Sequence, residues 1–315
     1  MYHDFPFDPT YGHAKDQLLQ VPAPPAPGDF ADFWRTAFAE NQKTPLNLSA
    51  QPSPLKAPDH DVYEVAFDAL GQVRVGGWAL VPTGGKAACG FVIGHGYGGR
   101  EAPELVLPAA NAAAIFPCAR GFHRSAQPGI PDLSDSHVLC GIESRETYIH
   151  RGCAGDIWSA ATALLELQPG VRERLYYIGA SFGGGIGALC LPWDARFKKA
   201  VLKVPSFGNH PLRLRCQCVG SGESVRRYHE RHAEVIEVLR YFDSATAATF
   251  LKIPALVAPA LFDPAVPPPG QFAVYNAIPG RKELFVFKAG HFEYPEALAE
   301  ETAFEQQVRR WFAEE

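Results

Sequence analysis

The stretch Tyr176-Tyr177-Ile178-Gly179-Ala180-Ser181-Phe182-Gly183-Gly184-Gly185 decides the fold of this 315-residue chain. An apolar run leads into Gly-x-Ser-x-Gly, and the residues that follow predict a helix. A serine on such a strand–turn–helix turn is so crowded that side chains at Gly179 and Gly183 would clash. We therefore predict a strained backbone at Ser181, with its hydroxyl above the edge of a sheet. The alternative is a glycine-rich turn with a structural serine, because the motif alone is short.

Apolar runs alternate with helix-length segments around this turn. Uninterrupted apolarity is typical of strands buried on both faces of a parallel sheet. The runs are Gly90 to Ile93, Ala113 to Phe116, Leu175 to Ile178, Ala200 to Val204, Ala255 to Phe262 and Leu284 to Phe287. Two earlier runs, 63–67 and 73–81, favour antiparallel strands, and Pro259 predicts a bulge or a strand end. The sequence predicts an α/β-hydrolase fold, with a mostly parallel central sheet and helices on both faces.

The domain organisation is expected to be one unit over residues 1–315. Residues 1–60 predict an extended arm and a helix capped by Asp29. Residues 210–248 predict a helical insertion with a strongly charged segment. Exposure of that segment to solvent is favoured, and a cap over the active site is the alternative. The last helix is predicted to open with Pro295 in its first turn.

Two further residues complete a predicted catalytic triad with Ser181. A serine hydroxyl needs a base, the base needs an orienting acid, and in this fold the chain order is Ser, acid, His. Asp263 directly follows one apolar run and His291 follows the last one, so both belong at the carboxyl ends of parallel strands. The alternatives are a turn-forming aspartate before Pro264 and a surface loop histidine.

An oxyanion hole is predicted from two backbone N–H groups. One belongs to Phe182, the residue after the nucleophile. The other is assigned to Tyr97 in His95-Gly96-Tyr97-Gly98-Gly99, which follows an early strand and whose glycines permit close approach of substrate. A plain glycine turn is the alternative there.

Composition excludes several other classes of protein. The net charge of −5 does not suggest nucleic-acid binding, and no apolar window is long enough for a membrane span. Seven cysteines, mostly in apolar runs, suggest free buried thiols rather than disulfides, and Cys216-Gln217-Cys218 lacks a second pair at zinc spacing. No metal or cofactor is expected. The N-terminus does not have the pattern of a secretory signal, so a cytoplasmic protein is expected.

The chain resembles the acetyl xylan esterase and cephalosporin C deacetylase family of carbohydrate esterases. The resemblance runs from the Asp29 helix almost to the end of the chain. The matching stretches are Asp29-Phe30 with Asp32-Phe33-Trp34, His95-Gly96-Tyr97, Arg120-Gly121, Arg145 with Thr147-Tyr148, Gly179 to Gly185, Asp263 with Pro267-Pro268, Gln271 to Ile278, and Gly290-His291.

This resemblance implies deacetylation of small acetylated sugars, a cytoplasmic location and a homo-oligomer, commonly a hexamer. By this resemblance, the catalytic triad is Ser181, Asp263 and His291. The candidates for the substrate pocket are Tyr97, Arg120, Phe122 and Phe182. The family usually has glutamine at the positions of Phe122 and Phe182. We expect two phenyl rings there to favour less polar esters, because sugar hydroxyls would lack partners.

The predicted function is that of a serine carboxylic ester hydrolase that removes short acyl groups, most simply acetyl. A broader carboxylesterase or thioesterase is the alternative within that class. An acyltransferase, or a binding protein that has lost turnover, could be built on the same fold and stays open as well.

Overall fold

The strands form one mixed sheet in a computed structural model that describes residues 1–314. The parallel strands β4 to β8 lie within the predicted apolar runs or overlap them, whereas β9 ends at Leu284, where the last predicted run begins. The strands are β1 (Ser49–Pro52), β2 (His60–Ala69), β3 (Val73–Pro82), β4 (Cys89–Ile93), β5 (Ala112–Pro117), β6 (Leu175–Ala180), β7 (Phe197–Lys203), β8 (Ala255–Ala258) and β9 (Lys282–Leu284).

The sheet order within residues 1–314 is β1-β2-β3-β5-β4-β6-β7-β8-β9. The pairs β1/β2, β2/β3 and β3/β5 are antiparallel, as the alternating runs predicted for β2 and β3. All pairs from β5 to β9 are parallel. Parallel strands place their carboxyl ends at one edge, so the loops after β4, β6, β8 and β9 meet there.

Helices cover both faces of this sheet. They are α1 (Lys15–Leu18), α2 (Phe30–Lys43), α3 (Ser134–His137), α4 (Ile149–Leu167), α5 (Phe182–Cys190), α6 (His210–Arg213), α7 (Ser221–Arg231), α8 (Ile236–Leu239), α9 (Ser244–Ala248), α10 (Pro268–Ala277) and α11 (Ala297–Ala313). Short 3-10 turns join several of them. In residues 1–314 no helix combines the length and apolarity needed to cross a bilayer.

Alternate residues of each central strand enter opposite sides of the core. Val92 and Tyr177 pack toward α4 and α5, whereas Phe91 and Tyr176 pack toward α11. The strands are thus buried on both faces, which is the physical reason for their uninterrupted apolarity.

The structure confirms one local prediction and corrects two others. Strand β8 ends at Ala258, immediately before Pro259, as predicted for a residue that cannot donate to the ladder. The last helix begins at Ala297, so Pro295 precedes the helix instead of lying in its first turn. Asp29 occupies the N-cap position of α2, but its carboxylate binds Arg145 and the Tyr241 hydroxyl rather than a helix N–H.

A buried ion pair joins the end of β5 to α4. The guanidinium of Arg120 donates to the Asp156 carboxylate at 2.7 and 3.1 Å, and the Arg120 backbone N–H donates to it at 2.9 Å. Both side chains are almost fully buried. Removal of one partner would leave an uncompensated buried charge, so the pair fixes the packing of α4 against the sheet.

Asp156→Ala is expected to lower the free energy of unfolding by about 3–5 kcal/mol, because Arg120 would remain buried without its counter-charge. Urea denaturation followed by circular dichroism measures the change. Asp32→Ala is the matched control, since its pair with Arg35 is exposed and its loss is expected to cost within about 0.5 kcal/mol. Equal effects of the two substitutions would contradict the role given to the buried pair.

Candidate active site

Ser181 lies on the tight turn between β6 and α5. Its backbone has φ of 53° and ψ of −114°, so the predicted strain is present. A Cβ atom at Gly179 would lie 2.4 Å from the Gly183 carbonyl oxygen, which explains why that position must be glycine. At Gly183 a Cβ atom would lie 2.9 Å from the carbonyl oxygen of His95.

Backbone hydrogen bonds hold the turn on both sides. The Ser181 N–H donates to the carbonyl of Lys203 at 2.8 Å. The Ser181 carbonyl accepts from the N–H groups of Gly185 at 2.9 Å and Ser206 at 3.1 Å. The strained residue is therefore fixed by β7 and the loop that follows it, which leaves its hydroxyl free to point above the sheet edge.

The three predicted triad residues meet at this edge. His291 Nε2 lies 2.9 Å from Ser181 Oγ, and His291 Nδ1 lies 2.8 Å from Asp263 Oδ2. These residues are far apart in sequence but follow β6, β8 and β9 at the same end of the sheet. A continuous chain of hydrogen bonds thus links hydroxyl, imidazole and carboxylate, as general-base activation of a serine requires.

The carboxylate of Asp263 is fully buried and held on both oxygens. Oδ1 accepts from the N–H groups of Ala265 and Val266, both at 2.9 Å. Oδ2 accepts from Gln271 Nε2 at 2.9 Å in addition to its contact with the histidine. The sequence alone assigns no role to Gln271. Its contact with Asp263 exists because α10 folds back onto the carboxylate, and no local motif marks that contact.

Asp263 sets the protonation of His291. Burial of the ring acts to lower the pKa of His291, but the negative charge and hydrogen bond of Asp263 outweigh burial and raise that pKa above its ordinary value. The imidazole side chain remains partly exposed, so it can exchange protons with a substrate or with water.

The two predicted oxyanion donors lie in the loops that flank Ser181. Within residues 1–314 neither the Tyr97 N–H nor the Phe182 N–H donates to another protein group. The Gly183 N–H, by contrast, is used by the carbonyl of His95 at 2.9 Å. The His95 ring accepts the Ala119 N–H on Nε2 and donates from Nδ1 to Gly96, which fixes the loop that carries Tyr97.

The Tyr97 hydroxyl is anchored between two buried histidines at 3.1 Å from each. His137 Nε2 lies 2.9 Å from the Arg120 carbonyl and so carries the proton, which makes His137 Nδ1 the acceptor of the Tyr97 hydroxyl. His150 Nε2–H then donates to the Tyr97 oxygen. The ring of Tyr97 also packs 4.2 Å from that of Phe182, centroid to centroid. The side chain thereby holds the backbone that carries one predicted oxyanion donor. Neither histidine was singled out from the sequence, since both lie in segments without a motif.

Three of the four pocket candidates are not where the sequence analysis placed them. The side chains of Phe122 and Phe182 are each only 2% exposed, and they pack around Tyr97 and His137 rather than facing substrate. Arg120 is buried against Asp156. The expectation of an apolar wall at the site was therefore wrong, because the two rings fill the core beneath the loop that carries Tyr97.

A cleft of about 230 Å³ opens beside the triad. Its lining includes Ser181, His291, Phe292, Tyr294 and Lys203. The cleft therefore offers both aromatic surface and polar groups to a ligand.

Metal ligation has no candidate cluster in the part of the chain that the structure describes. Cys216 and Cys218 have no histidine or acidic partner set that could complete a site there. All seven cysteines are unpaired, and five of them are buried. Burial raises the pKa of both Cys216 and Cys218 to about 11, which keeps these thiols protonated.

Comparison with known proteins gives a family and a fold. The family described as acetyl xylan esterase (AXE1) matches residues 19–310. Acetyl xylan esterase 1 from Thermoanaerobacterium sp. is 21% identical, with a TM-score of 0.83 over 96% of this chain and 99% of that chain. The acetyl xylan esterase from Paenibacillus sp. R4 is 24% identical, with a TM-score of 0.78 over 94% and 99%.

A more distant structure shares the same core. The acylaminoacyl peptidase of Pyrococcus horikoshii is 17% identical, with a TM-score of 0.63 over 82% of this chain and 42% of that chain. At these identities the matched structures establish the architecture, and the predicted α/β-hydrolase fold is confirmed.

The reactivity of Ser181 is expected to depend on pH through His291. The imidazole must be neutral to accept the serine proton, so its raised pKa means that reactivity falls as pH drops through a value above the ordinary 6.5. The rate of labelling by a fluorophosphonate, measured from pH 5 to 9, should show this midpoint. Asp263→Asn should slow labelling by orders of magnitude and move the midpoint to lower pH, because the charge that raises the pKa is gone. A wild-type midpoint below 6.5 would contradict this electrostatic account.

Tyr97→Phe is expected to lower the free energy of unfolding by about 1–3 kcal/mol, because it removes the hydroxyl partner of two buried ring nitrogens. Chemical denaturation measures the loss. Tyr2→Phe is the control, since its side chain is 90% exposed and its change is expected to be within about 0.5 kcal/mol. A Tyr97→Phe protein as stable as the control would show that the anchor contributes nothing.

Proposed function

This chain belongs to the acetyl xylan esterase family, and from that premise we propose that it removes acetyl groups from acetylated xylan oligosaccharides through an acyl-enzyme on Ser181. Family membership makes the protein a carboxylic ester hydrolase. The observation that carries the proposed catalytic roles is the unbroken hydrogen-bonded chain from Ser181 through His291 to Asp263.

The proposed reaction has two halves. Ser181 Oγ attacks the acetyl carbonyl while His291 Nε2 takes its proton, and the same imidazole then protonates the leaving sugar hydroxyl. A water molecule activated by His291 next attacks the acetyl-serine, which releases acetate and restores the serine. Asp263 holds the imidazole in the tautomer with its proton on Nδ1 and stabilises the imidazolium that forms.

The proposed oxyanion hole consists of the N–H groups of Tyr97 and Phe182. Both amides are without a protein partner in residues 1–314, so they are available to a charge that develops on the carbonyl oxygen. Each such donor typically contributes about 2.7–4 kcal/mol to the transition state. The anchored Tyr97 ring and its packing on Phe182 support this arrangement, because preorganised donors need no rearrangement during the reaction.

The residues that line the cleft support a sugar ester as the substrate rather than a strongly apolar ester. The argument for less polar substrates depended on Phe122 and Phe182 facing the substrate, and both rings are buried. The cleft instead presents Tyr294, Lys203 and Glu301 together with aromatic surface. Polar and aromatic groups of this kind are suited to sugar hydroxyls and ring faces.

The domain bounds, the oligomeric state and the cellular location are also proposed, on the family resemblance. We propose one α/β-hydrolase domain over residues 1–315, in which residues 210–248 form an insertion between β7 and β8. A homo-oligomer, commonly a hexamer in the resembling family, and a cytoplasmic location are part of the same proposal.

The decisive test is Ser181→Ala assayed on acetylated xylooligosaccharides, with released acetate as the readout. Activity is expected to fall by a factor of about 10⁴ or more, because the nucleophile is lost. Ser136→Ala is the control, since that hydroxyl is exposed and bonds to the Leu133 carbonyl; it should retain full activity. An active Ser181→Ala protein would refute the assigned nucleophile.

Two measurements separate the proposed hydrolase from a binding protein and from an acyltransferase. A folded wild-type protein that neither hydrolyses acetates nor reacts with a fluorophosphonate would be a binding protein, which the assembled triad argues against. Product analysis with added alcohols distinguishes hydrolysis from acyl transfer, since a transferase would yield a new ester in place of acetate.

A further inference from the structure

The polar side chains that line the cleft outside the triad are already paired. Lys203 forms an ion pair with Glu301. The Tyr294 hydroxyl donates to Glu300 at 2.7 Å. A ligand that enters the cleft therefore meets polar groups that have partners, together with the half-buried ring of Phe292, which lines the same cleft.

The ring of Phe292 is supported by the core and by the N-terminal arm. Phe262 lies 5.0 Å from it, centroid to centroid, and Phe5 of the arm lies 6.1 Å away. These two rings meet it at interplanar angles of 57° and 60°, so neither is stacked flat on its face. Phe262 is buried, whereas Phe292 borders the cleft. The ring is thus held by its neighbours and presents apolar surface to a ligand.

Backbone hydrogen bonds fix the segments that carry these rings. The Gly290 N–H donates to the Phe262 carbonyl at 2.8 Å, which holds the loop that contains His291 and Phe292. The N-terminal arm is tied to the site through the Pro9 carbonyl, which accepts the N–H of the proposed catalytic acid at 3.0 Å. A ring held in place before binding loses little conformational freedom when a ligand packs on it.

The position of Phe292 relates its ring to the alcohol portion of the ester. In the proposed reaction His291 Nε2 passes the serine proton to the leaving oxygen, so the leaving group must lie against the imidazole. Phe292 is the next residue along the chain, and both side chains line the same cleft. A leaving group that contacts the imidazole therefore extends beside this ring.

We propose that Phe292 determines specificity by stacking against the pyranose ring of the sugar from which the acetyl group is removed. This inference rests on the proposed deacetylase function and deepens it. The faces of a pyranose ring present C–H bonds, whose partial positive charge suits the electron-rich face of an aromatic ring. A small alcohol or an open-chain polyol offers no such face, so Phe292 favours cyclic sugar esters over other acetates.

The experiment compares a cyclic sugar ester with a small acetate. Wild type, Phe292→Leu, Phe292→Tyr and Tyr2→Leu are assayed on acetylated xylooligosaccharides and on ethyl acetate, with released acetate as the readout. In Phe292→Leu the ratio of kcat/KM for the sugar ester to kcat/KM for ethyl acetate is expected to fall by about threefold to tenfold, mainly through KM, because the ring contact is lost. Phe292→Tyr keeps the ring and should retain the wild-type ratio.

Tyr2→Leu is the matched control, because it also replaces an aromatic ring by leucine, at a side chain that is 90% exposed and outside the lining of the cleft. It should retain the wild-type ratio. A Phe292→Leu protein with the wild-type ratio, or a Phe292→Tyr protein whose ratio falls as far as that of Phe292→Leu, overturns the inference.

A measurement on wild type alone guards against a misfolded Phe292→Leu protein. Inhibition of ethyl acetate hydrolysis by methyl β-xylopyranoside is compared with inhibition by xylitol, which has hydroxyls but no ring. Stronger inhibition by the cyclic sugar, by about threefold or more, supports the stacking role. A smaller difference, or no inhibition by either compound, rejects it.

Failure of the proposed function gives a different result. Wild type would then hydrolyse ethyl acetate but release no acetate from acetylated xylooligosaccharides, and the inference would fall with the proposed function. Release of acetate from the sugar esters by wild type, with an unchanged ratio in Phe292→Leu, overturns the inference alone.

Discussion

The active site depends on a single steric constraint, the crowding of the turn that holds Ser181 at a positive φ. A non-glycine residue in that region costs on the order of 1–3 kcal/mol, and it persists only where the surroundings fix it. Here Lys203, Gly185 and Ser206 bind both polar groups of its backbone, and glycines 179 and 183 leave room for the turn. The strain places the hydroxyl above the sheet edge, and every other functional group is arranged relative to it.

Asp263, the acid of the proposed triad, is held by three separate parts of the chain. Its carboxylate accepts from Gln271 on α10 and from the backbone of the loop that follows it. Its own N–H donates to the carbonyl of Pro9 in the N-terminal arm at 3.0 Å. The arm also packs Phe5 against Phe292, the neighbour of the triad histidine. The arm therefore supports the loops that position the acid and the base.

A layer of rings and neutral histidines lies beneath the loop that carries Tyr97. Tyr97, Phe122 and Phe182 pack there with His137 and His150, whose pKa values burial lowers. Neutral imidazoles can each donate and accept one hydrogen bond, so they anchor a tyrosine without adding charge below the site. The aromatic rings in this layer support the loop that carries Tyr97, and the polarity of the cleft is set by other residues.

The amino-acid sequence by itself determined the central strands, the glycine-flanked turn at Ser181 and the chain order of Ser181, Asp263 and His291, because apolar runs, glycine sterics and turn positions are encoded within a few neighbouring residues. Only the tertiary structure decided which side chains meet the substrate. The sequence predicts Arg120 as a pocket residue, but its ion pair with Asp156, 36 positions away, holds it in the core. Burial and pairing are set by contacts between distant parts of the chain, and local pattern does not contain them.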